Sequence, residues 1–124
     1  MSTRPRVMIA DDYPDMVKAV SRVLAQDCDV VGTVAGGSAL LDAAERLQPN
    51  VILLDLSLPN ANVLESCRQI TRSHPQIRVI VFTALGDPGL VERFLEAGAS
   101  AFVSKLGDNG DLLSTVKRLS GGGR

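Results

Sequence analysis

Val51-Ile-Leu-Leu-Asp55, read beside Arg6-Val-Met-Ile-Ala-Asp-Asp12, decides the fold. Each is a short apolar run with two β-branched residues that stops at an acidic side chain. Such a run reads as a strand buried on both faces, as in a parallel sheet covered by helices. Two further runs end in the same way. Val79-Ile-Val-Phe82 gives way to Thr83-Ala84, and Ala101-Phe-Val103 to Ser104-Lys105. Asp29 to Ala35 is a weaker strand.

Helix signals lie between these runs. Tyr13-Pro14-Asp15 opens a helix with Val17, Val20, Val23 and Leu24 on one face. Ser38 is the expected N-cap of a second, with Leu40, Leu41, Ala44 and Leu47 inward and Pro49-Asn50 as its stop. Leu64, Cys67 and Ile70 mark a third, which ends near His74-Pro75. Asp87-Pro88 caps and starts a fourth carrying Val91, Phe94 and Leu95, with Gly98 just past its end. Asp108 or Asp111 opens the last, with Leu112, Val116 and Leu119 inward. Strict β-α alternation predicts an α/β fold: a doubly wound, five-stranded parallel sheet with helices on both faces. Its expected strand order is the flavodoxin-like 2-1-3-4-5.

That order makes the strands ending in Asp11-Asp12, Asp55, Thr83 and Lys105 consecutive neighbours. With strands about 4.8 Å apart, Asp12 and Asp55 can share one cation, and Lys105 can reach across roughly 10 Å. A lone aspartate at a strand end is usually a cap or turn residue. The joint placement of carboxylates, a hydroxyl and a lysine on one rim is what points to a site. Oxygen donors without cysteine or histidine favour Mg²⁺. A carboxylate held beside such an ion can attack a phosphoryl group. Asp55, alone at the end of a central strand, is the expected nucleophile; Asp11 and Asp12 are the expected metal ligands. Phe102, in a strand, is expected in the core.

Composition removes other classes. The chain has 124 residues, 45% of them hydrophobic, and a formal net charge of −1. That suits one globular domain, not a disordered segment. No apolar stretch is long enough to span a membrane. No basic stripe marks a nucleic-acid surface, so this segment is not expected to bind DNA. Cys28, Cys67 and the single His74 have no zinc-site spacing, and the two cysteines read as reduced, structural residues of a cytoplasmic protein. A phosphohydrolase would want a second carboxylate two residues after its nucleophile, where Ser57 stands. A nucleotide-binding fold would want a glycine-rich loop after the first strand, which is absent.

Asp11-Asp12, Asp55 in Asp-Leu-Ser-Leu-Pro59, Thr83-Ala84, and Phe102 three residues before Lys105 together resemble the receiver domains of two-component response regulators, the CheY-like superfamily. The resemblance covers residues 5–120. It implies a phosphoacceptor at Asp55 and Mg²⁺ (or Mn²⁺) held by Asp12 and Asp55, with Asp11 acting through water and the Ser57 backbone carbonyl as a further ligand. Thr83 would hydrogen-bond the phosphoryl group, Lys105 would pair with it, and Phe102 would swing inward behind Thr83. The implied partners are a sensor histidine kinase and, on phosphorylation, a second copy of the chain. Such a domain is a switch, not an enzyme beyond assisting its own phosphoryl transfer.

Two departures stand out. Leu106-Gly107-Asp108 follows the lysine where many receivers carry proline. With the ending Leu119-Ser-Gly-Gly-Gly-Arg124, this is similar to NarL/LuxR-type transcription regulators, whose receiver precedes a helix-turn-helix domain. Residues 1–120 would then be the receiver and 121–124 the start of a linker. Val63 stands where receivers usually carry glycine. A loop rebuilt around Asn60-Ala61-Asn62, with Asn62 capping the third helix, would leave Val63 at ordinary negative φ.

Overall fold

The structure, a computed structural model, describes residues 4–58, 62–84, 87–107 and 109–120. Five strands alternate with five helices: β1 Arg6–Ala10, α1 Pro14–Leu24, β2 Asp29–Val34, α2 Leu40–Leu47, β3 Val51–Leu54, α3 Val63–Ser73, β4 Arg78–Thr83, α4 Pro88–Glu96, β5 Ala101–Ser104 and α5 Asn109–Ser120. Every strand pairing is parallel, and the order is β2-β1-β3-β4-β5, as expected. The period-two alternation of side chains splits the core in two. Val7, Ile9, Leu53, Ile80, Phe82 and Val103 meet Val20 and Leu24 of α1 and Leu112 and Val116 of α5. Met8, Ala10, Ile52, Leu54, Val79 and Val81 pack with residues of α2, α3 and α4.

The chain's first strand also ties down the end of α2. Arg6 donates from its two terminal guanidinium nitrogens to the carbonyls of Leu47 and Gln48 at the end of α2 (2.8 and 2.7 Å). Those carbonyls have no partner within the helix, and a cation there also suits the helix dipole. Gln48 turns left-handed, at φ 47°, to leave the helix before Pro49. At Gly32 the close approach is of side chain to backbone: a Cβ there would lie 2.5 Å from Leu47 Cδ1. Glycine lets α2 sit down on the edge strand.

The expected helix starts have mixed outcomes. Ser38 is not a cap. Gly37–Ala39 forms a 3-10 turn that runs into α2, and the Leu40 N–H is satisfied by the Gly37 carbonyl instead. Asp111 lies in the first turn of α5, where its charge suits the dipole, and not at its opening. Asp108 lies outside the described residues, as do Asn60 and the expected linker 121–124. Asp87 does cap α4, accepting from the Gly89 and Leu90 N–H groups. Gly98 follows the α4 C-cap at φ +115°, and the Gly98 and Ala99 N–H groups return to the Leu95 and Phe94 carbonyls. This is a Schellman closure.

At α3 the expectation for Val63 is met. The Asn62 side chain accepts from the Glu65 N–H at 3.0 Å, and Val63 is the first helical residue, buried in the core. Positive φ outside glycine occurs only at Gln48 among the described residues. Val63→Gly should therefore destabilise the domain. Lost helix propensity and added unfolded-state entropy cost on the order of 1 kcal/mol, and lost burial adds about 1.5–3 kcal/mol. Urea melts of both proteins check this, and a mutant as stable as its parent would contradict it.

Cys28 and Cys67 are both buried and unpaired with each other, as expected of structural thiols. Burial pushes the Cys67 thiol up to about 11 from its ordinary 9.0. A folded-state value above the unfolded one contributes stability that is full below pH 9 and lost as pH rises through about 11. A thiol reagent at pH 8 should label neither cysteine until the chain unfolds, and urea midpoints should fall between pH 9 and 11.

Candidate functional site

The alternation that builds the core also aims the site. Asp11 follows Ala10, and Asp55 follows Leu54, both on the α2–α4 face; each aspartate therefore turns toward the α1/α5 side, as does Lys105 two residues beyond Val103. The three meet. Lys105 Nζ lies 2.6 Å from Asp11 Oδ2 and 3.0 Å from Asp55 Oδ2, and all three side chains are nearly buried. Each aspartate also closes a local turn. Asp11 Oδ1 accepts the Tyr13 N–H at 2.9 Å, just before Pro14 starts α1. Asp55 Oδ1 accepts both the N–H and the hydroxyl of Ser57, each at 3.0 Å.

These contacts settle the charge states. Burial alone would raise the Asp55 carboxyl, but the Ser57 N–H, Lys105 and the Ser57 hydroxyl outweigh it and hold Asp55 below its ordinary value. Burial would likewise lower Lys105, yet its hydrogen bonds to Asp11 and Asp55 raise it above its ordinary value. Asp55 is thus an anion and Lys105 a cation at neutral pH. Asp12 is exposed, and carboxylate oxygens of Asp11, Asp12 and Asp55 lie within 4.8 Å of one another. One ammonium faces three carboxylates, so the cluster keeps an excess of negative charge. A hard divalent cation with oxygen-only donors fits that deficit, and its residues are those the sequence singled out.

Thr83 and Phe102 occupy the opposite face of the sheet. Thr83 is buried at the end of β4, and its carbonyl accepts the Lys105 N–H at 3.0 Å. Phe102 departs from the expected core position: it is 40% exposed, and Leu95 of α4 is 41% exposed. β5 is an edge strand, and α4 leaves its outer side open. Phe102 and Leu95 line a groove of about 500 Å³ with Pro88, Val91 and Glu92. Two contacts escaped the sequence reading. The Ser57 hydroxyl on Asp55 is signalled by a serine two residues after an aspartate, a spacing that favours such turns. Phe82, read only as a strand residue, presents its ring to Lys105, with Nζ 5.7 Å from the ring centroid.

Residues 7–117 match the model of the response regulator receiver domain. The chain belongs to that family. It is 32% identical over 122 residues to the response regulator GacA of Pseudomonas viridiflava, covering 96% of this chain and 56% of that protein. It is 30% identical to the transcriptional regulatory protein DegU of Brevibacillus brevis, covering 95% of this chain and 51% of that one. This receiver thus spans about half the length of these relatives. Among solved structures, the signal receiver domain of NarL from Mycobacterium tuberculosis superposes with a TM-score of 0.87 at 28% identity, over 96% of this chain and 98% of that one. Among the described residues, no helix is long and apolar enough to cross a membrane.

The excess negative charge gives a direct prediction. Asp12→Asn should raise stability by about 0.5–1 kcal/mol in metal-free buffer, because it removes a like charge from the cluster. Millimolar Mg²⁺ should erase the gain. Urea melts with and without the ion measure it, and a mutant less stable than the parent without metal would refute it.

Proposed function

We propose that this receiver accepts a phosphoryl group on Asp55 from the phosphohistidine of a sensor histidine kinase, and that the modified domain then drives an output that regulates transcription. The observation that carries this reading is the buried Asp55 carboxylate, held as an anion at the end of a central strand beside Lys105 and two further carboxylates. A carboxylate oxygen of Asp55 attacks phosphorus as the phosphorus–nitrogen bond to the donor imidazole breaks. An acyl phosphate results, and the imidazole nitrogen leaves with the electron pair. Asp11, Asp12, Asp55 and the Ser57 backbone carbonyl would hold Mg²⁺. When bound, that ion neutralises the carboxylates and the negative charge of the phosphoryl oxygens.

The chain's own residues do the rest. The two Ser57 donors orient Asp55 Oδ1, which fixes the carboxylate plane. Lys105, already within the cluster, pairs with the arriving phosphoryl oxygens. Thr83 donates its hydroxyl to one of them and moves toward Asp55. Phe102 follows, because it lies on the same sheet face beside the end of β4, with Val81 as its register partner. Its inward turn would empty part of the groove against α4 and reshape the surface formed by α4, β5 and α5.

The greater length of the relatives supports a helix-turn-helix output domain beyond residues 121–124, with a second copy of the chain as a phosphorylation-dependent partner. A net charge of −1 suits a segment that leaves DNA binding to that domain. A cytoplasmic location follows from such a partner set.

Incubation with acetyl phosphate and Mg²⁺ should add one phosphoryl group by intact mass, and Asp55→Asn should abolish the addition. Normal labelling of Asp55→Asn would sink the assignment. Thr83→Ala should still be labelled, yet its α4-β5-α5 amide shifts on adding beryllofluoride should be smaller than those of the parent. Equal shifts would remove Thr83 from the switch.

A further inference from the structure

We propose that Phe82 is a positioning residue for Lys105, its ring face forming the seat that keeps the ammonium over the carboxylate cluster. This rests on the phosphoacceptor reading of Asp55 above. Lys105 Nζ lies over the Phe82 ring, 5.7 Å from its centroid, within the range at which a cation is drawn to the negative face of an aromatic ring. Both partners are largely withdrawn from water: Phe82 is 7% exposed, and the Lys105 side chain 9%. Desolvation strengthens the attraction. The placement follows from register. Phe82 pairs with Val103, and Lys105 is two residues further along, so ring and lysine share the α1/α5 face.

A lysine stem has four rotatable methylenes and is costly to hold in one rotamer. Asp11 and Asp55 pull Nζ from one side, at 2.6 and 3.0 Å. The Asp55 side of that grip changes character when the carboxylate becomes an acyl phosphate, since its charge moves out to the phosphoryl oxygens. The ring's attraction does not depend on that change. Phe82 therefore keeps the ammonium in the pocket through both states of Asp55. An aliphatic residue at position 82 would keep the site apolar but would exert no such pull.

The test must separate the ring's electrons from its volume. Site-specific incorporation of 4-fluoro-, 3,5-difluoro- and pentafluorophenylalanine at position 82 drains the ring face stepwise with little change in shape, and leaves Phe94 and Phe102 intact. Beryllofluoride affinity at saturating Mg²⁺, the urea midpoint and the solvent exchange of the Lys105 ζ protons by ¹⁵N NMR are then compared. Affinity should fall progressively, on the order of fivefold to tenfold at the pentafluoro ring. Exchange should quicken in parallel at a near-constant urea midpoint, and the affinity trend should vanish in a Lys105→Ala background. Unchanged affinity and exchange across the series would overturn the inference. If the unsubstituted protein binds no beryllofluoride, the phosphoacceptor reading fails instead. The Lys105 exchange series then still decides the seat, because it needs no ligand: quickening supports it and constancy overturns it.

Discussion

Lys105, drawn in from the end of an edge strand to bridge two buried carboxylates, is the constraint around which this domain is arranged. An ion pair out of water is a poor source of stability, since desolvation offsets much of the attraction between the charges. Removing one partner is worse, because the other charge is left buried and uncompensated. The three side chains must therefore arrive together, from β1, β3 and β5, and the parallel sheet brings them to one end. Asp12 adds a carboxylate that the lysine does not answer. For the phosphoryl transfer proposed above, this excess charge would be a condition of the chemistry, a local cost set against two well-packed faces.

The end of β4 serves both faces at once. Phe82 and Thr83 are consecutive, so the pleat sends one toward the lysine and α5, and the other toward Phe102 and α4. In the proposed switch, chemistry and readout are thus separated by a single peptide unit. A change on one side of the strand would then reach the other without any long path of intervening contacts. The exposed aromatic ring of Phe102 at the edge strand, awkward as packing, makes sense as a group with room to move.

Much of this was legible in the residues. Four apolar runs ending in Asp11-Asp12, Asp55, Thr83 and Lys105 carry the sheet, its order and the site, because buried parallel strands leave no choice of face. Asn62 as the cap that accommodates Val63 was legible for a similar reason: short polar side chains compete for free N–H groups. The misreadings have their own causes. Ser38 suits a cap, yet a 3-10 turn had already satisfied the helix's first donor. Phe102 suits a core, but periodicity cannot tell an edge strand's open side from a covered one. The Lys105–Phe82 contact joins residues far apart in sequence and depends on a rotamer, which no pattern of residue types encodes.

Gly98 gives the fourth helix a fixed end. Its left-handed φ leaves no space for a Cβ beside Thr71, whose hydroxyl donates to the Ala97 carbonyl at 2.9 Å, and the Schellman bonds close the last turn. At the other end α4 begins on Asp87, which caps its own helix. On the phosphorylation proposed for Asp55, a helix held at its Gly98 end would tilt rather than slide. Displacement at the acidic rim would therefore reach the groove as a rotation about the Gly98–Thr71 contact, largest near Pro88 and smallest near Glu96. Amide hydrogen exchange along α4 should rise in that graded sense on activation; a uniform change along the helix would argue for sliding instead.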